Sequence, residues 1–163
     1  MVGIQPPPTP AAFVVPWRHE TTKTNIRHIA GWTLRIDADV FSGRLKCQIY
    51  RHDIQYRRGA LVFRFARDVD TSTAIYRIDG GEPNWTQSDT AELAQLGFAL
   101  HDDDNLSNPS GGVLRVPVHK VGEARSVSVE VSARFPPVAF RVEGISSAVA
   151  AAYGAGCMSA DFD

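Results

Sequence analysis

Alternation between Gly31 and Arg51, in the run GWTLRIDADVFSGRLKCQIYR, restricts the fold of this chain more than any other feature. Trp32, Leu34 and Ile36 alternate with Thr33, Arg35 and Asp37. After a turn at Phe41-Ser42-Gly43, Leu45, Cys47 and Ile49 alternate with Lys46, Gln48 and Tyr50. A period of two marks a strand with one buried face. Two such runs joined by a short glycine-containing loop predict a hairpin, with a Trp and a Cys on the inner side of one sheet.

The rest of the chain repeats the pattern. Leu61, Phe63 and Phe65 form a heavy inner face, and Ala74, Tyr76 and Ile78 share one side of the next run, which Asp79-Gly80-Gly81 closes with turn chemistry. His52 to Tyr56 reads as a continuation of the hairpin's second strand, and Arg57-Arg58-Gly59 as a turn. Later runs place Leu114, Val116 and Val118, then Val127, Val129 and Val131, then Val138, Phe140 and Val142 inward. Pro117 favours an edge for the first of them, as Pro16 does for a short strand over Phe13–Trp17. Arg18 to Ile29 shows no clear period.

Helical spacing occurs twice. In Ser88–Phe98, Leu93 and Leu96 are three apart, Asp89 and Glu92 have the spacing of a capping pair, and Gly97 stops the run, so a helix is expected across an end or edge of the sheet. In Ser146–Tyr153, Ser146 is the expected N-cap, Ile145, Val149 and Tyr153 share a face, and Gly154 terminates. The expected fold is mainly β, an antiparallel sandwich or open barrel of about 7–9 strands with two short helices. Residues 1–12, MVGIQPPPTPAA, read as a disordered Pro-rich lead, and 13–163 as a single β-rich domain.

A net charge of −1 gives no general attraction to nucleic acid or to an anionic membrane. No apolar run approaches the roughly 20 residues of a spanning helix. Met1 to Trp17 lacks the basic start and apolar centre of a signal peptide, but a mature exported chain would read the same way.

Four groups of residues are candidates for chemistry. Cys47 and Cys157 are too far apart for a redox pair; a bridge between them would close a loop of about 110 residues, the alternative being two unrelated thiols. The five histidines, His19, His28, His52, His101 and His119, show no metal-binding or catalytic spacing and read as surface residues. Asp102, Asp103 and Asp104 are weak candidates for a hard cation, since the loop lacks the glycine and distal Glu of an EF-hand, and no cofactor is implied. Of the 17 basic residues all but Lys23, Lys46 and Lys120 are arginines. Arg35, Arg64, Arg77, Arg115 and Arg141 each fall mid-strand opposite the large apolar residues, so on neighbouring strands they would line one outer sheet face. Such a row would bind an anionic ligand or an acidic protein patch; the plainer reading is a solvated face with acidic partners.

The run Trp32-x-Leu34-x-x-x-Ala38-Asp39-x-Phe41-x-Gly43-x-x-x-Cys47, then Tyr76-Arg77-Ile78-Asp79 with glycines after it, and a late Gly156-Cys157, resembles small exported β-proteins of Gram-negative bacteria. The nearest groups are the invasion-associated locus B family and a type VI secretion accessory family. The resemblance covers Trp32 to Asp79 and Phe135 to Cys157. It implies a periplasmic or secreted β-sandwich with a stabilising disulfide and no catalytic residues to carry over. Locus B proteins usually have more cysteines and a different C-terminal half.

The function expected is that of a non-enzymatic cell-envelope protein, periplasmic or secreted, binding an unknown protein or anionic envelope ligand through a sheet face or edge. A cytoplasmic location is the alternative. This function predicts a flat Arg-bearing surface and no cavity. Two other functions fit the same residues: a small-ligand carrier or hydrolase with an inter-sheet pocket of at least about 300 Å3 and converging polar groups, and a structural subunit pairing through a long uncovered strand edge.

Overall fold

The computed structural model describes residues 22–98 and 112–162, together with Gly3. The rest of the Pro-rich lead, Phe13–Trp17, His19, His101 and the acidic loop with Asp102, Asp103 and Asp104 lie outside the described residues. Ten strands among the described residues form two antiparallel sheets packed as a β-sandwich. The six-stranded sheet has the order β1 (Thr22–Ile29), β2 (Trp32–Asp39), β3 (Leu45–Arg51), β4 (Ile54–Arg57), β5 (Ala60–Arg64) and β8 (Val113–Pro117). The four-stranded sheet has the order β10 (Val138–Arg141), β9 (Ser126–Glu130), β6 (Ile75–Ile78) and β7 (Asn84–Trp85).

The expected hairpin is β2–β3, with Leu34 opposite Ile49 and Ile36 opposite Cys47. All four are buried with Trp32, against Tyr76, Val127, Val129 and Val142. Asp39 shapes its turn by accepting from the Phe41 amide and the Ser42 hydroxyl, which hold its carboxyl below the usual range. Pro117 does end an edge strand, since β8 closes the six-stranded sheet. β4 is a separate strand rather than an extension of β3, because the chain reverses at His52, whose φ is +52°.

Three short α-helices are described, not two. The first, α1 (Thr90–Gln95), follows a 3-10 turn at Thr86–Asp89 and lies on the outer face of the six-stranded sheet, where Leu93 and Phe98 cover Ala60. Asp89 occupies the N-cap position without making a side-chain cap; its carboxylate is used elsewhere. The unexpected helix is α2 (Val118–Val121), immediately after β8. α3 (Ile145–Gly154) packs on β1, β2 and β3. Gly144, at φ +83°, takes the N-cap position expected of Ser146, and the Ser146 hydroxyl donates to the Gly122 carbonyl instead. Its buried face is Ile145, Ala148 and Ala152, while Tyr153 is exposed. Small residues let the helix approach the sheet closely, and Cys157 just beyond it is bonded to Cys47.

Candidate functional site

β10 is the end strand of the smaller sheet, and three of its four residues are exposed. The Val142 amide donates to the Arg125 carbonyl, so alternation along an antiparallel pair directs the Val138 and Phe140 backbone groups to β9. The N–H and C=O of Ala139 and Arg141 therefore face away from the sheet. Phe140 pins the strand from inside, its ring centroid 4.8 Å from Phe63 and 5.6 Å from Phe65.

On the Val138 side of Phe140 the mouth of the sandwich opens into a cleft of about 700 Å3 between the β5–β6 and β9–β10 connections. Phe65 and Val69 line it from one side, Val131, Phe135, Pro136 and Val138 from the other, and Asp68, Asp70 and Arg134 stand at its polar margin. Asp70 is held as a carboxylate by Ser72, whose hydroxyl and amide lower its pKa. Phe135 is 63% exposed and Val138 44%, so a large apolar surface faces solvent beside an open strand edge. On the Arg141 side a second depression, about 360 Å3, is lined by Arg51, His52, Asp53 and Ile54 together with β10 itself. Its arginines are already engaged: Arg141 pairs with the Glu143 carboxylate, and Arg51 donates to the Glu143 carbonyl at 3.4 Å.

The flat Arg-bearing surface without a cavity expected of a binding face is not what the structure shows: a cleft is present, and the five arginines do not form one surface. Arg35, Arg64 and Arg115 lie on the larger sheet and Arg77 and Arg141 on the smaller. Arg35 is tied to Asp37 at 3.2 Å, and Arg64, three strands away, donates to Gln55. Arg115 is buried, its guanidinium 4.9 Å from the centre of the Phe98 ring beneath the α1 segment. Alternation gives the side of a strand, but not which sheet it joins or what lies over it.

A buried polar cluster was not anticipated. The Tyr76 hydroxyl donates to Asp89 at 2.6 Å, and Lys120 pairs with the other carboxylate oxygen. Burial, then the Asp89 carboxylate, push the Tyr76 hydroxyl far above its ordinary pKa, so it stays protonated and donating. His119 of α2 pairs with Glu92 of α1 close by. These contacts join the two helices to the smaller sheet. Among the described residues no group of three His, Cys, Asp or Glu side chains is placed to hold a metal.

Sequence reasoning did not single out the cleft residues. Their signal is the Phe135-Pro136-Pro137 break, which sets an aromatic ring in a loop instead of on a strand's inner face. Fold and site together define a two-sheet β-sandwich whose end strand β10, among the described residues, lies beside an apolar cleft at the mouth of the sandwich. Comparison of the chain with protein-family models, with curated proteins and with solved structures gives no match.

Proposed function

We propose that this chain is a non-enzymatic binding protein of the periplasm or cell exterior that accepts an extended polypeptide segment along β10. The observation that carries the reading is the juxtaposition of the outward-facing Ala139 and Arg141 backbone groups with the apolar cleft at Val138. Added strands gain affinity from main-chain hydrogen bonds and specificity from pockets that take alternate side chains. The cleft supplies such a pocket where β10 begins. The Cys47–Cys157 bridge supports an oxidising compartment, where disulfides persist.

A random decapeptide display library selected on the immobilised protein tests this. Enriched peptides should carry an apolar residue within a β-prone run and shift the Ala139 and Arg141 amide resonances. Val138→Asp, at a half-exposed position, should weaken them at least about tenfold by placing a charge in the cleft. Peptides that bind this variant as well as the native chain would refute the assignment. The size and apolar lining of the cleft also favour a small apolar ligand. Displaceable binding of an apolar fluorophore, with no peptide enriched, would favour that carrier reading.

A further inference from the structure

We propose that the tip of the β2–β3 hairpin docks this protein on a membrane surface that carries anionic lipid headgroups. The tip, residues 40–43, presents the most exposed large apolar side chain among the described residues: Phe41 is 80% exposed, with Val40 beside it at 49%. A single exposed apolar residue is ordinary on a protein surface. Three features set this pair apart.

The first is that the turn satisfies its own amides. The Asp39 N–H donates to the Arg44 carbonyl at 2.9 Å, and the Gly43 N–H to the Asp39 carbonyl at 2.8 Å. The Phe41 N–H donates to the Asp39 carboxylate at 3.0 Å, and the Arg44 N–H to the Ser42 hydroxyl at 3.2 Å. Polar groups cost free energy when they leave water without partners, and these carry their partners with them. The same bonds hold the tip in one shape, so little conformational freedom is lost on docking.

The second is charge. Arg44 follows the tip directly, Lys46 stands opposite Asp37, and Lys23 opposite Ala38. Among the described residues these three side chains make no hydrogen bond or ion pair. The carboxylates beside them are engaged: Asp37 accepts from Thr24 at 2.6 Å and from Arg35 at 3.2 Å, and Asp39 from its own turn. Three cations thus stand against two carboxylates, one already paired with Arg35, so this end of the hairpin is positive and complements anionic headgroups. The third is size. Two side chains on a hairpin tip offer far less than the roughly 800 Å2 that a stable protein interface buries on each partner. Reversible membrane binding instead combines one small apolar insertion with a basic patch, and both are present, which favours a bilayer over a protein as the occupant. β3 runs from Leu45, next to the tip, to Arg51, which lines the depression beside β10. The tip and β10 therefore stand at opposite ends of the larger sheet, about 20 Å apart, and docking by the tip holds the β10 edge away from the bilayer.

Flotation with lipid vesicles tests this. The native chain should float with phosphatidylcholine vesicles that contain about 30% phosphatidylglycerol, but not with phosphatidylcholine alone, and added salt should release it. Phe41→Asp should weaken binding at least about tenfold, Phe41→Trp should keep it, and Arg44→Glu should weaken it at least about fivefold. Phe41 lies outside the core, so Phe41→Asp should melt as the native chain does. A fluorophore attached to Val40→Cys takes only that position, because the native cysteines are bonded to each other. Lipids brominated along the acyl chain should quench it, and should leave a fluorophore on Phe135→Cys, at the cleft, unquenched. A native chain that floats with neither vesicle would overturn the proposal and leave the tip to a protein partner. Equal binding of Phe41→Asp, equal binding to uncharged vesicles, or quenching at Phe135 as strong as at Val40 would overturn it as well.

Discussion

Trp32 shows how one residue ties distant parts of this chain together. Its ring is fully buried at the start of β2, and its indole N–H donates to the Glu143 carbonyl at 2.9 Å, between β10 and α3. A large ring filling the space between sheet and helix leaves a cavity when truncated, so Trp32→Ala should cost roughly 3–5 kcal/mol in a urea melt. Trp32→Phe separates packing from hydrogen bonding. It keeps most of the ring volume, and Arg51 still reaches the same carbonyl, so the loss should be nearer about 1 kcal/mol. A Trp32→Ala loss under about 1 kcal/mol would contradict the central place of the hairpin. The burial of Trp32 was legible because alternation alone fixes which side chains of a strand share a face. Its partner was not, since a contact 111 residues away depends on how the sheets close on each other.

Among the elements, α1 and α2 are held to the smaller sheet by Asp89, which is 1% exposed and accepts from both Tyr76 and Lys120. Removing its carboxylate with Asp89→Ala leaves the buried Tyr76 hydroxyl without an acceptor, and should cost roughly 2–3 kcal/mol by denaturant unfolding. Asp89→Asn keeps an acceptor for Tyr76, and Lys120, partly exposed, can turn to water, so about 1 kcal/mol is expected. Equal losses for the two variants would show that the acceptor for Tyr76 contributes nothing. This role was hidden in the sequence because Asp89 followed by Glu92 matches the spacing of a helix cap, and a local pattern cannot reveal a partner on another strand. β1 escaped for a different reason. Its two faces are both exposed, so the apolar and polar contrast that identifies β2, β3 and β5 never develops, and only its ladder to β2 defines it.

At the scale of the whole molecule, the strands were legible one by one while their division into sheets was not. That division decides the candidate site. It separates Arg77 and Arg141 from Arg35, Arg64 and Arg115, dissolving the expected basic face, and it leaves β10 as an edge above the cleft. The covalent link across the assembly is Cys47–Cys157, joining the middle of the larger sheet to the segment after α3, with both residues buried. The separation of 110 residues makes this a long closed loop in the unfolded chain. In the chain-entropy account such a constraint is worth roughly 4–5 kcal/mol. Replacing both cysteines with Ala should therefore lower the unfolding free energy by about that amount, with a further loss where the two buried sulfurs leave space. The bridge also predicts a thiol count: none in denatured protein from an oxidising preparation, and two after reduction, the chain having two cysteines. Two thiols before reduction would remove the bridge. The proposed envelope location would then lose its support, while the site proposed at the β10 edge and its cleft would belong to a reducing compartment.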